Sequence, residues 1–294
     1  MGSEFELPDY AITQPGQFVL ADAPTLPPKD APGKKDCKKL LAERVEQIYD
    51  LQRVLYADRR YSILCVFQAM DAAGKDSTIR HVFSGVNPAG FQEYSFKRPS
   101  SEELDHDFLW RTARRLPERG HIGIFNRSYY EEVLVVRVHP ELLQYQRLPG
   151  LTLPPNKAFW KRRYQAIKSH EAHLVNNGTV VLKFWLNVSK AEQKQRFLDR
   201  LDTPRKNWKF EPGDVRERGH WDAYMGAYED AINATACKAA PWFAIPADDK
   251  PYMRLAVADI MVRTLQSLDI DYPDVPDADR EEFAELRQQL LDER

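Results

Sequence analysis

Residues 61–78 read YSILCVFQAMDAAGKDST and decide the fold. Their apolar part, Tyr61–Phe67, is rich in β-branched and aromatic residues and has the length of a strand buried on both faces, as in a parallel sheet. A turn of small residues follows, and a helical stretch is predicted from Ser77 to Phe83. A strand, a glycine-containing turn with a lysine, and a helix in this order are typical of a phosphate-binding P-loop.

In a P-loop, backbone N–H groups and the N-terminus of the helix converge on phosphate oxygens. We expect Gly74 to allow the tight turn and Lys75 to be the working cation. The loop departs from the common pattern at Ala69, where a glycine usually stands, and at Asp76, where Ser or Thr usually stands. The other residues expected to line the phosphates are Ala72, Ala73, Asp76, Ser77 and Thr78. By itself, the Gly-Lys pair is also compatible with a helix C-cap followed by a surface lysine.

Asp71 lies four residues before the lysine, where P-loops do not normally need an acid. One interpretation is an Asx-turn that stabilises the loop. The other is that its carboxylate holds Mg²⁺ or orients the incoming phosphate nucleophile. A hydroxyl of Ser77 or Thr78 is a further candidate contact to phosphate or Mg²⁺.

Strands and helices alternate along the rest of the chain. Further strands are predicted at Ile122–Phe125, Thr179–Leu186 and Trp242–Ile245. Helices are predicted at Cys37–Ala57, Glu102–Arg119, Lys157–Asn176, Lys190–Leu201, Val215–Ala236, Tyr252–Leu268 and Asp279–Asp292. This alternation predicts an α/β fold with a parallel sheet, because parallel strands need crossover connections.

The domain boundaries follow from composition. Residues 1–7 resemble translated vector sequence, and residues 8–36 are predicted to form an extended arm because they are rich in Pro, Ala, Gly and Asp. A kinase domain is expected over residues 37–270, with a lid at about 190–220, followed by a linker and helix over 271–294.

Bulk properties exclude several classes of protein. The chain has 294 residues and a formal net charge of -2, which disfavours a surface that binds nucleic acid throughout. No run of about 20 apolar residues is present, so no membrane span is expected. Three widely separated cysteines fit a reducing compartment, and we expect a cytoplasmic protein.

Several blocks of sequence resemble the polyphosphate kinase 2 family. They are DAAGKDST at 71–78, FNRSYYEE at 125–132, RVHP at 137–140, RKNWKF at 205–210, WDAY at 221–224 and AYEDAI at 227–232. The resemblance covers about Asp36 to Leu268. It implies a thymidylate-kinase-like P-loop kinase: a three-layer α/β sandwich with a parallel central sheet and a helical lid. It also implies reversible phosphoryl transfer between inorganic polyphosphate and a nucleotide, with Mg²⁺ or Mn²⁺ as the metal ion. A homo-oligomer, dimer or tetramer, is implied as well.

Two departures from the family pattern bear on the acceptor and the metal. Asn126 stands where many members carry Asp, and Glu131-Glu132 replaces an Asn-Arg pair of the branch that phosphorylates nucleoside diphosphates. These residues resemble the branch that accepts both AMP and ADP. Because an amide is a weaker ligand than a carboxylate for a hard cation, Asp71, Glu131 and Glu132 become the candidate metal ligands.

Phosphoryl transfer needs in-line positioning and positive charge around the moving group. Arg127 follows the second strand and should project from the carboxyl edge of the sheet, where α/β proteins bind ligands. Its alternative role is a surface ion pair with Glu131. We therefore expect Asp71, Lys75 and Arg127 to be catalytic. The candidate contacts to the acceptor nucleotide are Lys97, Arg98, Asn126, Glu131 and Arg137, the last by resemblance alone.

A basic segment, residues 196–209, lies in the expected lid. Its cations are Arg196, Arg200, Arg205, Lys206 and Lys209. Three interpretations remain open: mobile lid groups that close on polyphosphate, a solvated helix face, or a nucleic-acid patch in which Trp208 and Phe210 stack on bases.

The leading hypothesis is a phosphotransferase that moves phosphoryl groups from polyphosphate to AMP and ADP, with polyphosphate and adenine nucleotides as its partners and neither nucleic acid nor a membrane. The alternative enzyme is an ATP-dependent nucleoside monophosphate kinase. A GTPase-like switch is disfavoured because the guanine-reading pattern Asn-Lys-x-Asp is broken at Phe159 in Asn156–Phe159.

Overall fold

The strand that precedes the phosphate loop lies at the centre of a six-stranded sheet. In the computed structural model, which describes residues 9–210 and 212–293, the strands run in the order β1-β6-β5-β2-β4-β3. They are β1 Ala11–Ile12, β2 Ser62–Gln68, β3 Phe91–Ser95, β4 Ile122–Asn126, β5 Thr179–Asn187 and β6 Trp242–Pro246. Strands β2 to β6 are parallel, and β1 pairs antiparallel with β6 at the edge.

Helices connect these strands. They are α1 Lys34–Asp58, α2 Lys75–Val82, α3 Ser101–Asp105, α4 Trp110–Ala113, α5 Val135–Val138, α6 Lys157–Asn176, α7 Lys190–Leu201, α8 Pro212–Arg218, α9 Trp221–Thr235, α10 Lys250–Ser267 and α11 Asp277–Asp292. Short 3₁₀-helices include Tyr129–Glu132 and Pro204–Lys209. Within the described part of the chain, none of these helices has the length and apolar character to cross a bilayer.

Side chains of β5 show the two faces of the sheet. Phe184 stacks between Phe67 and Phe243, on the face where Cys65 contacts Met261 of α10. Trp185 points the other way, against Tyr228 of α9. Since α1 and α2 pack on α10, and α6 packs on α9, the sheet is covered by helices on both faces. The predicted three-layer α/β architecture is confirmed.

Helix starts follow side-chain caps. Asn156, Ser189 and Asp249 each accept a hydrogen bond from the backbone N–H three residues later, at distances of 3.0–3.1 Å. Such caps satisfy N–H groups that have no partner within the helix. They explain why α6 and α7 begin at the predicted residues.

The sequence prediction is wrong in three places. Strand β3 was not predicted, because its residues FQEYS are half-buried or exposed at the sheet edge and lack a strong apolar pattern. The predicted helix Glu102–Arg119 is two short helices, separated where Asp107 accepts from the Leu109 N–H at 2.9 Å. The predicted helix Val215–Ala236 is broken between α8 and α9 at Gly219 and His220.

The N-terminal arm is extended and docked, with β1 pairing to the sheet edge. The side chain of Asn233 in α9 accepts from the Phe18 N–H at 2.9 Å and donates to the Phe18 carbonyl at 2.8 Å. Phe18 packs edge-on against Trp185. The arm therefore covers part of the α9 face. Residues 1–7, expected to be vector-derived, lie outside the described residues.

A buried ion pair lies inside the α6–α9 layer. The ammonium of Lys183, which is 0% exposed, donates to Glu171 at 2.6 Å and to the Thr235 carbonyl at 3.0 Å. The hydroxyls of Tyr129 and Tyr130 both donate to Glu171, at 3.0 and 2.8 Å. A buried charge pair of this kind is tolerated because hydrogen bonds satisfy the remaining donors and acceptors.

Replacing Lys183 by Met should lower the free energy of unfolding by about 3–5 kcal/mol, because the Glu171 carboxylate is then buried without its cation. Urea unfolding measures the change. The control is Arg263→Gln, which removes the half-exposed pair of Arg263 with Asp259 and should cost less than about 1 kcal/mol. Equal costs for the two substitutions would contradict the prediction.

Candidate active site

The phosphate loop connects the end of β2 to the start of α2. Its backbone has positive φ at Ala72 (+62°) and Gly74 (+113°), and this path turns the chain sharply into α2. A methyl group at Gly74 would also meet the Met253 side chain at 3.2 Å. Positive φ at a residue with a Cβ costs free energy, and such conformations cluster at functional sites. The loop thus has the compact shape that a phosphate-binding nest needs.

Lys75 is the buried cation of this loop. It is 8% exposed, and its Nζ donates to the Ala69 carbonyl at 2.8 Å. Burial lowers its pKa, and the nearby Arg127 charge lowers it further, whereas Asp71 and Glu131 oppose that shift. A cation held out of water, with a second cation beside it, is well prepared to receive an anion.

Arg127 reaches the loop from the neighbouring strand. Strands β2 and β4 pair Phe67 with Asn126, and the Arg127 N–H donates to the Phe67 carbonyl at 3.0 Å. Arg127 itself has φ +64°, and its guanidinium contacts Asp71 at 3.0 Å. The pKa of Arg127 is raised, first by the charge of Glu131 and then by Asp71, against the effect of burial.

Glu131 completes the group of charges. It lies in the 3₁₀-helix Tyr129–Glu132, which is capped by the Ser128 hydroxyl. With the Gln68 amide oriented so that both its atoms are satisfied, that amide donates to Glu131 Oε1 at 2.8 Å. Burial raises the pKa of Glu131 although Arg127 and Lys75 act to lower it.

Four predicted residues therefore meet at the carboxyl ends of β2 and β4: Asp71, Lys75, Arg127 and Glu131. We call them the charge cluster. The prediction that Arg127 projects from this edge agrees with the geometry, and its hydrogen-bonded partner is Asp71. The contact of Gln68 with Glu131 was not predicted from the sequence. Its position as a polar residue at the end of a buried strand, directly before the loop, could have indicated a role at the site.

The adjacent Glu132 does not join the charge cluster, and its role as a metal ligand stays a prediction. Its side chain is nearly buried, and Oε2 accepts from Arg163 and Gln146, each at 2.7 Å. Arg163 lies between the rings of Phe108 and Phe159, 4.5 and 5.1 Å from their centroids. Consecutive residues of a tight turn point in different directions, and the sequence does not say which glutamate faces the loop.

Asn126 ties the second strand to α2. Its amide donates to Asp76 at 2.9 Å and to Glu93 at 3.5 Å. Burial raises the pKa of Glu93, with Asp76 adding to the shift and Asn126 opposing it. Glu93 was missed because β3 was missed. Ser77 and Thr78 donate their hydroxyls to the Gly74 carbonyl, at 2.9 and 3.0 Å, and so stabilise the turn.

The basic segment divides into buried and surface cations. Arg196 is 4% exposed and its guanidinium binds backbone carbonyls, so it does not share the exposed surface of the segment. Arg200 pairs with Asp214 of α8 at 3.5 Å. Arg205 is exposed and Lys206 half-buried in the 3₁₀-helix after α7. The side chain of Lys209 lies outside the described residues.

The remaining acceptor candidates lie outside the charge cluster. Lys97 and Arg98 are exposed in the segment that follows β3. Arg137 of α5 pairs with Asp230 at 3.0 Å and lies 4.8 Å from the Trp160 ring centroid. None of the three has a hydrogen bond or ion pair to the charge cluster among the contacts of the described residues.

The carboxylates of the charge cluster fit a hard divalent cation. In the described residues no ready-made group of three or more His, Cys, Asp or Glu side chains is present. Mg²⁺ does not require one, since it is commonly bound by one or two carboxylates together with phosphate oxygens and water. Asp71 and Glu131 supply two carboxylates beside the phosphate loop, and both interact with Lys75.

The fold and the charge cluster define a P-loop phosphotransferase. A parallel sheet places a loop lysine, an arginine from the second strand and two carboxylates at one edge, which is the arrangement that transfer of phosphoryl groups requires.

The chain belongs to the polyphosphate kinase 2 family, whose model, Polyphosphate kinase 2 (PPK2), matches residues 32–273. It is 54% identical to an ADP-polyphosphate phosphotransferase of Rhodopseudomonas palustris, over 88% of this chain and 89% of that one. It is 44% identical to an AMP/ADP-polyphosphate phosphotransferase of Meiothermus ruber, over 90% and 94%. The crystal structure of a polyphosphate kinase 2 from Arthrobacter aurescens superposes with a TM-score of 0.83 at 38% identity, covering 92% and 94% of the two chains.

Replacing Glu131 by Gln should raise the thermal midpoint near neutral pH. Because the folded-state pKa of Glu131 is raised, its protonated form stabilises the fold at low pH, and that contribution is lost as the pH rises through this pKa. Gln keeps the neutral shape at every pH. The difference from wild type should therefore shrink as the pH falls through the ordinary glutamate range of about 4.

Thermal midpoints of the two proteins over a pH series measure this effect. The exposed Glu118 offers a matched control, since Glu118→Gln should give no such pH-dependent gain. A Glu131→Gln midpoint below wild type at neutral pH would contradict the sign.

Proposed function

We infer that this protein transfers phosphoryl groups between inorganic polyphosphate and the adenine nucleotides AMP and ADP. The observation that carries the inference is the charge cluster, in which two cations and two carboxylates meet at the phosphate loop. The names of the two relatives support polyphosphate as donor, and one of them names both AMP and ADP.

The chemistry asks little covalent work of the protein. The transferring group carries negative charge on its oxygens, and catalysis comes from positioning and electrostatic stabilisation. Lys75, buried at the loop, neutralises phosphate oxygens there. Arg127 approaches from the second strand, so the two cations can hold the moving group between them.

Asp71 and Glu131 are the residues we assign to Mg²⁺, with Mn²⁺ as a second ion that accepts the same oxygen ligands. When bound, the ion supplies further neutralisation of phosphate oxygens and fixes their orientation. Asp71 also holds the Arg127 guanidinium at 3.0 Å, so it aligns the arginine and serves the metal from one position.

A chain of phosphates needs cations beyond the point of transfer. Arg200 lies in the last turn of α7, and Arg205 and Lys206 lie in the 3₁₀-helix that follows it. Other side chains of α7 contact the phosphate loop. We assign Arg200, Arg205 and Lys206 to the polyphosphate donor. Lys97 and Arg98 follow β3, which lies on the other side of β4 from β2. We assign them, together with Arg137 of α5, to the phosphate of the acceptor nucleotide.

With AMP, Mg²⁺ and polyphosphate as the only donor, we expect ADP and then ATP to form. Lys75→Met should lower turnover by about 10²-fold or more, because a charge that stabilises the transferring group is lost. Its thermal midpoint should not fall, since burial already disfavours the ammonium. Nucleotide products separated by chromatography measure the reaction.

The same assay separates the alternative enzyme. An ATP-dependent nucleoside monophosphate kinase would form ADP from AMP and ATP and nothing from AMP and polyphosphate. Absence of product with polyphosphate, from folded wild-type protein, would reject the proposed function. Activity of Lys75→Met within a few-fold of wild type would reject the role of the loop lysine.

Glu131→Asn should change the ratio of activity on AMP to activity on ADP. The two acceptors differ by one phosphate. The Glu131 carboxylate lies beside Lys75 and Arg127, where it would repel the charge of an added phosphate. Removing that negative charge should favour ADP, the more highly charged acceptor. Competition between the two nucleotides in one reaction measures the ratio, and an unchanged ratio would exclude Glu131 from acceptor selection.

A further inference from the structure

Helix α7 binds three consecutive carbonyl groups of the phosphate loop. The Gln193 amide donates to the Asp71 carbonyl at 2.9 Å. Arg196 Nη1, one turn further along, donates to the carbonyls of Ala72 and Ala73 at 3.2 and 2.6 Å. The sequence did not predict that α7 would bind carbonyl groups of the loop, nor that Gln193 would take part.

Arg196 uses its whole guanidinium for this purpose. Its Nε donates to Glu192 at 2.7 Å, and its Nη2 donates to the carbonyls of Ala247 and Asp248 at 2.6 and 3.2 Å. A guanidinium has five N–H groups in a fixed fork, and here each of them has an acceptor. Arg196 is therefore committed to two loops, the phosphate loop and the loop after β6.

Holding these carbonyls also orients the N–H groups of the loop. In a planar trans peptide the C=O and the next N–H point in opposite directions. With the carbonyls of Asp71 and Ala73 directed at α7, the N–H groups of Ala72 and Gly74 point away from α7. The N–H between them, on Ala73, donates to the Met70 carbonyl at 3.2 Å and closes the turn.

We propose that Gln193 and Arg196 are positioning residues, which hold the phosphate loop in the conformation that binds the phosphate chain. They act on the backbone around Ala72 and so on the placement of Lys75. The same contacts link the loop to the helix that leads into the basic segment.

Arg218, at the end of α8, extends this link. Its Nη1 donates to Gln193 Oε1 at 2.7 Å and to the Lys190 carbonyl at 2.8 Å. An amide whose oxygen accepts from Arg218 must present its nitrogen to the Asp71 carbonyl. Arg218 thus fixes the orientation of Gln193, and α8, which follows the basic segment, is coupled to the phosphate loop through one side chain.

This inference rests on the proposed function. The substitution Arg196→Lys tests the positioning role of Arg196. Lysine keeps the charge but has three donors and no fork. Displacement of a reactive group by about 1 Å can cost about 10²-fold, so kcat should fall by that order. The KM for polyphosphate should rise as well, but by a smaller factor. Arg53→Lys, on the exposed part of α1, is the control and should match wild type.

Chemical rescue separates positioning from simple loss of structure. Guanidinium ion, at concentrations far below those that unfold proteins, should restore part of the kcat of Arg196→Ala, whereas ammonium should not. Wild-type kcat in Arg196→Lys would overturn the proposal. Folded Arg196→Ala that guanidinium fails to rescue would count against it as well.

A double-mutant cycle tests the link to Arg218 and remains informative if the Arg196 variants do not fold. Gln193→Met and Arg218→Met should each lower kcat, and the double variant should be no worse than Gln193→Met alone, because Arg218 acts through that amide. Gln195→Met, on the exposed face of the same helix, should be silent. Additive losses would show that Arg218 acts elsewhere and would overturn the coupling.

Binding of inorganic tripolyphosphate, measured by calorimetry, distinguishes this inference from the proposed function. If wild-type protein makes no nucleotide from polyphosphate, the function fails while the role of α7 can still be tested. Weaker binding by Gln193→Met and Arg196→Lys than by Gln195→Met and Arg53→Lys would then support the positioning role. Equal binding by all four would overturn it.

Discussion

The parallel register of β2 against β4 is the constraint on which the site depends. Because Phe67 is paired with Asn126, the two strands end at the same level, and the residues that follow each strand meet. The hydrogen bond from Arg127 N–H to Phe67 extends this pairing one residue past β4. A slip of one residue would turn the side chains of β4 to the opposite face and carry Arg127 away from Asp71.

The charge cluster that this register brings together has two positive and two negative side chains, but burial makes some of these charges unfavourable. Burial works against the charged forms of both Lys75 and Glu131, and each partly compensates the other. A phosphate chain and a divalent cation would add charges of both signs to the same place. The site is therefore better matched to its bound state than to its free state, as expected where binding is used for catalysis. A substitution that neutralises Glu131 would therefore stabilise the free protein but make the site less complementary to bound phosphate and metal.

Local patterns were sufficient for most of the fold and for part of the site. The caps Asn156 and Ser189 are local, and so is the apolar run of β2, which is why α6, α7 and the central strand were predicted correctly. The phosphate loop and Arg127 could be predicted for the same reason, since both directly follow strands. What failed depends on packing: β3 has an unremarkable sequence at a sheet edge, and Glu131 and Glu132 differ only in which way a tight turn directs them.

Arg196 and Lys183 show even more clearly that features which depend on packing cannot be predicted from local sequence. In the sequence, Arg196 is one cation of a basic segment and Lys183 a polar interruption in a strand. In the fold both are almost fully buried. Arg196 binds the backbone of the phosphate loop, and Lys183 binds Glu171, which anchors the tyrosines next to Glu131. The charge cluster is formed by the phosphate loop and the segment after β4. Each of the two is thus held in place by a buried cation whose donors are satisfied. Since a buried charge is stable only when its partners are fixed, the two cations also restrict the loops they hold. The conformation of both loops consequently depends on two buried cations whose hydrogen bonds go to backbone carbonyls and to glutamates.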